Sequence, residues 1–165
     1  VGKAQALPFP DAYARAVLLM GPLYHLPDAT ERAQALAEAV RVCERGGVVV
    51  VAAMSRWAKP ASRAALGQLT DPGIQRHLLA VLRHGHDDAG DACDRISYNH
   101  DPEQLRRELV ECGLSGVDVL GVEGPLGAFA RHDPTLNGIA LDAARIAQRA
   151  APHLSIHLLA HGRTT

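Results

Sequence analysis

Histidine and aspartate residues are concentrated in one short stretch of the sequence. The potential metal ligands there are His84, His86, Asp87, Asp88 and Asp91. Their spacing matches neither an HExxH helix nor the patterned calcium loop of an EF-hand. A solvated polar loop is therefore the favoured interpretation, and a metal-dependent hydrolase built on this cluster is the weakest functional hypothesis.

Other residues that can bind a substrate or transfer a proton stand beside predicted strands. His25 follows an apolar run, and an imidazole with an ordinary pKa near ~6.5 can accept a proton at neutral pH. Tyr98 and His100 precede a capped helix, and Glu123 follows another strand. We predict His25 and His100 as catalytic and Tyr24, Tyr98 and Glu123 as substrate-binding. The alternatives are a cap or packing residue for His25, an exposed lead-in for Tyr98 and His100, and a turn cap for Glu123.

Two short apolar runs indicate buried strands of a parallel sheet, Val17–Met20 and Val48–Ala53. The segment between them predicts a helix with Asp28 as its N-cap and Gly46-Gly47 as its stop signal. We expect that helix to bury the stripe Ala33, Leu36, Ala37, Val40 and Cys43. The whole segment is a βαβ unit.

The alternation of helix and strand resumes further along the chain. Asp101-Pro102 begins a helix that ends at Gly113 and places Leu105, Leu109 and Cys112 inward, and Val117–Val122 follows as a strand. Asp133-Pro134 begins a third helix that runs towards Ala150. The last predicted strand, Leu154–Ala160, alternates apolar and polar residues, which is typical of an antiparallel strand near a sheet edge.

The stretch from Arg56 to His100 interrupts this alternation. It contains a helix that starts at Asp71-Pro72, with Ile74, Leu78, Leu79 and Leu82 as its predicted core residues. We interpret it as an insertion over the carboxyl ends of the strands, where open α/β sheets bind their ligands. The positions expected to line that crevice are therefore Gly21–Leu26, Ser55–Trp57 and Glu123–Gly127.

The composition restricts the class of protein. The chain has 165 residues, a formal net charge of −1, 47% hydrophobic residues and 4% aromatic residues. This predicts one packed domain and disfavours a nucleic-acid binder, because neither a basic surface nor aromatic stacking platforms are indicated. Three cysteines without CxxC spacing favour a reducing cytoplasm. No apolar run approaches the ~20 residues of a membrane span, so we expect no membrane partner.

Several of these segments, taken in order, carry a family resemblance. They are LPFPD at 7–11, AVLLMGPLYHL at 16–26, RGGVVV at 45–50, Tyr98 and His100 before a capped helix, GVEGP at 121–125 and HLLAHGR at 157–163. The chain resembles the class I S-adenosylmethionine-dependent methyltransferases over nearly its whole length. The resemblance implies a Rossmann-like α/β sheet, S-adenosylmethionine as cofactor and methyl transfer to a small-molecule substrate.

The resemblance also implies which residues face the cofactor, namely Lys3, Ala4, Leu7, Met20, Gly21 and Pro22. The family's Gly-rich turn and its ribose-binding acid would precede Val1, so we expect a partial domain over 1–165 whose sheet is incomplete at its N-terminal half. The insertion at 56–100, after the family's strand five, would form a helical lid over the acceptor. Two departures are visible, since Lys3-Ala4 and Ala14-Arg15 replace the family's usual Asp-Ala and Phe-Asp pairs.

Two expectations follow from the partial domain. The 165 residues alone should bind S-adenosylmethionine weakly, and the unpaired edge of strand Val17–Met20 should promote self-association. The main alternative to the enzyme is a non-catalytic methyltransferase-like binding module or a truncated fragment, which the two departures favour.

Overall fold

The computed structural model describes residues 2–88 and 96–165 and shows helices alternating with strands. The strands are β1 (Ala14–Met20), β2 (Cys43–Ser55), β3 (His86–Asp87), β4 (Ser97–His100), β5 (Leu114–Gly121) and β6 (His157–Thr164). The helices are α1 (Ala29–Val42), α2 (Ala58–Ala65), α3 (Pro72–His84), α4 (Pro102–Glu111), α5 (Gly127–Ala130) and α6 (Asn137–Ala150). Short 3₁₀ turns precede α1, α6 and β6.

The strands form one mixed sheet with the order β1-β2-β6-β5. β1 is parallel to β2, whereas β6 is antiparallel to both β2 and β5. β4 pairs with Met54 and Ser55 at the end of β2, on the same side of β2 as β1. β3 in turn pairs with β4. The carboxyl ends of β1, β2 and β5 therefore lie along one edge, as the predicted crevice requires.

One face of this sheet is covered by α1 and α4 and holds the main core. Its fully buried members include Leu36 of α1, Leu105 and Leu109 of α4, Val51 of β2 and Leu158 of β6. The cap predictions hold for both helices, because the Asp28 carboxylate accepts the amide of Glu31 and the Asp101 carboxylate accepts those of Glu103 and Gln104. The core thus fixes the orientation of β1 and β2.

The predicted end of α1 is wrong, whereas its predicted buried face is right in part, since Leu36 and Cys43 are buried. The helix ends at Val42, and Cys43 already has extended backbone and pairs with Ala14 in the sheet. Gly46 and Gly47 lie inside β2, where a Cβ on Gly47 would stand 2.6 Å from the Cys43 Sγ atom. The glycine pair therefore permits close strand contact and does not stop the helix.

The buried face of α1 includes a charged residue, Arg32. The buried residues of the helix are Arg32, Ala35, Leu36, Ala39 and Val42, whereas the predicted Ala33 and Ala37 are exposed. A buried arginine needs partners for its charge, and these partners lie on distant segments of the chain.

The insertion contains α2, α3, β3 and β4. Asp71 caps α3 as predicted, but the buried residues of that helix are Leu78 and Val81, and Leu79 is exposed. Asp87 is not in a solvated loop either: it is 2% exposed and its carboxylate lies 2.8 Å from the Lys59 ammonium. Asp91 of the predicted polar cluster lies outside the described residues. Within 2–88 and 96–165, no group of three side chains is arranged to hold a metal ion.

The last strand is antiparallel as predicted but starts at His157, and it lies one position in from the sheet edge that β5 forms. At the opposite edge, β1 pairs with β2 on one side, and no described strand pairs with its other side. Leu18 is 67% exposed and Met20 48% exposed on this strand. No helix in the described part of the chain is long and apolar enough to cross a membrane.

Candidate active site

The turn after β1 has a backbone conformation that requires glycine. Gly21 has φ 118° and ψ −34°, and a Cβ built on it would lie 3.1 Å from the Tyr24 hydroxyl. Pro22–His25 then forms one 3₁₀ turn that buries Leu23 completely and leaves His25 exposed. Gly21 is itself buried, and the Tyr24 ring covers the side from which a Cβ would project, so the parts of the turn that are open to a ligand are Met20 and Pro22.

The segment before β1 that is predicted to face the cofactor is held by two side chains of α1. The Glu38 carboxylate accepts the amide of Leu7 at 2.7 Å, and the Arg41 guanidinium donates to the carbonyls of Leu7 and Phe9. A hydrogen bond from Arg41, joined by that from the Leu7 amide, lowers the pKa of Glu38 to about 2. Lys3 is exposed, and its carbonyl accepts the amide of Ala6; Ala4 packs against the core.

Tyr98 and His100 are buried in β4, not exposed before the helix. His100 has no solvent exposure, and its Nε2 atom lies 3.1 Å from the Glu108 carboxylate. Burial lowers the pKa of His100, so this imidazole is neutral at pH 7. Because an ionised carboxylate can only accept, Nε2 carries the hydrogen and Nδ1 is left as an acceptor that has no partner among the described residues.

Three further polar residues surround this histidine, and the sequence analysis did not single them out. The Arg32 guanidinium lies 3.6 Å from the centroid of the Tyr98 ring and 3.4 Å from a Glu108 oxygen. Gln104 donates to the same Glu108 oxygen and to the Tyr98 hydroxyl. Burial raises the pKa of Glu108, but hydrogen bonds from His100 and Gln104 and the positive charge of Arg32 lower it overall.

A signal for this cluster exists in the sequence. Arg32 stands four positions before Leu36 and Glu108 stands three positions after Leu105, so both occupy the inner sides of amphipathic helices.

Glu123 belongs to a separate part of the sheet edge. Its carboxylate accepts the backbone amide of His157 at 3.0 Å and is hydrogen-bonded to the Nδ1 atom of the same residue. It lines a cavity of about 300 Å³ with Arg131 and residues of α6. Three strand spacings separate β5 from β1, so Glu123 lies about 14 Å along the edge from the Gly21 turn. It can contact only a distal part of a ligand bound at that turn.

Comparison with known proteins agrees with this geometry. Residues 1–51, which include the segment held by α1 and the Gly21 turn, match the family model of a methyltransferase domain. A SAM-dependent methyltransferase from Methanosarcina mazei superposes with a TM-score of 0.59 at 14% identity, covering 99% of this chain and 65% of the other. The chain has the fold of the class I methyltransferases. The predicted family resemblance and fold class are thereby confirmed.

Two other methyltransferase structures give the same result. A possible histamine N-methyltransferase from Thermotoga maritima has a TM-score of 0.56 at 12% identity, covering 99% of this chain and 62% of the other. A methyltransferase from Mesorhizobium loti has a TM-score of 0.58 at 14% identity, with coverages of 98% and 67%. The chain thus spans about two thirds of the length of these methyltransferases. No curated protein matches the sequence.

In this methyltransferase fold, the predicted site residues fall into three groups, and one member, Leu7, is bound near the end of α1, on the side where β1 starts. The segment that precedes β1 contains Lys3, Ala4 and Leu7. The end of β1 and the turn that follows it contain Met20, Gly21, Pro22, Tyr24 and His25. The third group lies in β4, which packs against that turn, and consists of Tyr98 and His100. Glu123 stands apart. Their roles in binding or catalysis stay predictions.

Proposed function

We propose that the chain takes part in S-adenosylmethionine-dependent methyl transfer to a small-molecule acceptor. The observation that carries this proposal is the match of residues 1–51 to a methyltransferase domain, which covers the turn where Gly21 alone can supply the backbone conformation. Gly21 fixes the backbone path of the turn, and Met20 and Pro22 on either side of it would present the surface that a cofactor contacts. When bound, the cofactor supplies an electrophilic methyl group on a sulfonium.

The chain's own residues would mainly position the reactants, because an in-line displacement gains most of its rate from alignment. The Gly21 turn would hold the cofactor. Tyr24 would contact the acceptor next to it, together with His25, whose ring lies 4.5 Å from the Tyr24 ring. The segment 56–100 would cover the acceptor from the insertion side.

The two predicted catalytic histidines have different environments, which assigns them different tasks. His25 is exposed on the turn, so its imidazole can take a proton from an acceptor that must lose one. His100 is buried, neutral and engaged at Nε2, so we assign it to holding β4 in place instead of to proton transfer. If the acceptor needs no base, His25 acts only as a contact.

A non-catalytic methyltransferase-like binding module is the second candidate. The specific observation that favours it is the basic character of two positions that are acidic in the family: Lys3 is exposed, and Arg15 is 92% exposed and paired with Glu44. A binding module would keep the fold and lose affinity for the cofactor.

The remaining attributes belong to the same proposal. A small-molecule acceptor, rather than a nucleic acid, fits the net charge of −1, and a cytoplasmic location fits the free thiols of Cys43 and Cys112.

Titration with S-adenosylhomocysteine, followed by amide NMR, tests the proposal and detects even weak binding. We expect saturable shifts at Met20–Leu26 and Ala4–Leu7. Adenosine serves as the control ligand, since it lacks the amino-acid arm and should shift the residues of the turn less. If neither segment responds at millimolar ligand, the cofactor site is wrong and the binding module is favoured.

A further inference from the structure

Two arginines anchor backbone segments on opposite sides of the candidate site. Arg32 donates from Nη1 to the carbonyls of Leu26 and Pro27, at 3.1 and 2.8 Å, and so holds the end of the turn that follows β1. Arg56, which directly follows β2, donates from Nη1 to the carbonyls of Leu82 and Arg83, at 3.2 and 3.0 Å. These last two carbonyls end α3, where a positive charge also favours the helix dipole.

Two side chains of α4 join the two arginines. One oxygen of Glu108 accepts from Arg32 and from the Gln104 amide, at 3.4 and 2.9 Å. The Gln104 carbonyl oxygen accepts from Arg56 at 3.1 Å. Hydrogen bonds therefore run without a break from the Gly21 turn, through α4, to the end of α3. We call Arg32, Glu108, Gln104 and Arg56 the two-arginine network.

Arg32 is buried, the other three members of the network are half-buried, and some buried polar atoms in and beside the network have no hydrogen-bond partner in the described ranges. In the described part of the chain, the buried side-chain atoms without a hydrogen-bond partner are Arg32 Nε, Arg56 Nε, Asn99 Oδ1 and His100 Nδ1. All four belong to the network or to β4 beside it. Since unpaired buried polar groups cost free energy, a core chosen for stability alone would not collect them in one place.

We propose that the two-arginine network couples the position of the insertion to that of the Gly21 turn. In this view the four members of the network are positioning residues. A shift of the α3 end releases Gln104 from Arg56. The loss of that contact loosens Glu108 and then the contact of Arg32 with the turn. The coupling rests on the proposed function, because it matters for methyl transfer only if the turn holds the cofactor and the insertion covers the acceptor.

Hydrogen exchange of two amides tests the coupling without any ligand. The Leu26 amide bonds to the Leu23 carbonyl in the turn, and the Gly85 amide bonds to the Val81 carbonyl at the end of α3. Arg56→Lys removes the fork that joins α3 to Gln104 but touches nothing in the turn. In this variant we expect the exchange rates of the Gly85 and Leu26 amides to rise about tenfold, while the amide of Val51 in β2 stays protected.

Gln104→Leu keeps the size of the side chain, removes the middle of the network and should give the same two increases. Glu111→Ala is the matched control, since this exposed residue of α4 stands three positions after Glu108 and is not a member of the two-arginine network. An increase at Gly85 with an unchanged rate at Leu26 in both variants would overturn the coupling. Should Arg56→Lys not fold, Gln104→Leu alone decides.

Adding S-adenosylhomocysteine separates this proposal from the proposed function. Coupling is reciprocal, so ligand bound at the turn should slow exchange at Gly85 in the wild type, and Gln104→Leu should abolish that slowing. Binding without any effect at Gly85 contradicts the coupling. Failure to bind, with the ligand-free coupling intact, contradicts only the proposed function.

Discussion

Replacement of Gly21 by alanine tests whether the turn after β1 is the cofactor site. The backbone angle φ of 118° lies where side-chain-bearing residues are strained, at a cost of about 1–3 kcal/mol. The new Cβ would lie 3.1 Å from the Tyr24 hydroxyl, which must move by a few tenths of an ångström. Tyr24 can give way at its far end, so the backbone strain dominates the cost.

We therefore expect Gly21→Ala to lower the free energy of unfolding by about 1–3 kcal/mol, or to relax by changing the turn. In either case the turn no longer presents the same backbone, and affinity for S-adenosylhomocysteine should fall roughly 5- to 150-fold, the same range of free energy. Urea unfolding measures the first quantity, and amide NMR titration measures the second.

Gly113→Ala provides the matched control. Gly113 also has a positive φ, 98°, and has no heavy atom within 4 Å of a built Cβ, so it reports backbone strain alone, far from the turn. We expect a similar loss of stability with unchanged affinity. If Gly21→Ala binds the ligand like the wild type while losing as much stability as Gly113→Ala, the turn is not the cofactor site.

Three further predictions concern the pH dependence of stability, the effect of Lys3 on cofactor binding and self-association at the edge of β1. Because burial lowers the pKa of His100, the unfolded chain takes up a proton below pH ~6.5 that the folded chain does not. Stability should therefore decrease from pH 7.5 to 5.5 in urea unfolding, and less so in His100→Asn; equal slopes would show that His100 does not contribute. Lys3→Asp should tighten S-adenosylhomocysteine binding by less than about tenfold. A hydrogen bond to a charged group is worth roughly 1.5–3 kcal/mol at most, and the exposure of Lys3 to solvent reduces that value. Unchanged or weaker affinity in the titration means that Lys3 points to solvent. The unpaired edge of β1 should cause concentration-dependent association in light scattering, which Leu18→Lys should reduce and Leu79→Lys should not; a wild type that stays monomeric refutes this.

Local signals in the sequence predicted the elements correctly where both partners of an interaction are near in the chain. Asp28, Asp71, Asp101 and Asp133 were all predicted to begin helices, and each carboxylate accepts backbone amides two or three residues on. Asp133 first caps a 3₁₀ turn that leads into α6. A cap depends on a few consecutive residues, so composition at that spacing is sufficient evidence.

The wrong predictions share a different cause. Asp87 was assigned to a solvated loop, and Arg32 was left out of the predicted buried stripe of α1. Each is buried because its charge meets partners far along the chain: Glu108 lies 76 positions after Arg32, and helix α2 contributes Lys59 to Asp87. The end of α1 failed for the same reason, since Cys43 is drawn into strand pairing with Ala14. No periodicity within one element can report such contacts.

The same distinction decides what the sequence could say about the site. The crevice followed from strand order alone, because parallel strands β1 and β2 must end at one edge, and Gly21 could be placed there by position. The roles of the two histidines could not follow, since an imidazole acts as a base only if water and ligand reach it. His25 stays on the surface of its turn, whereas β4 pairs with the end of β2 and takes His100 into the interior. A histidine that must stay neutral and fixed is better suited to holding the turn and the insertion together than to accepting a proton, so loss of His100 should alter the pH dependence of stability more than the protonation chemistry of the acceptor.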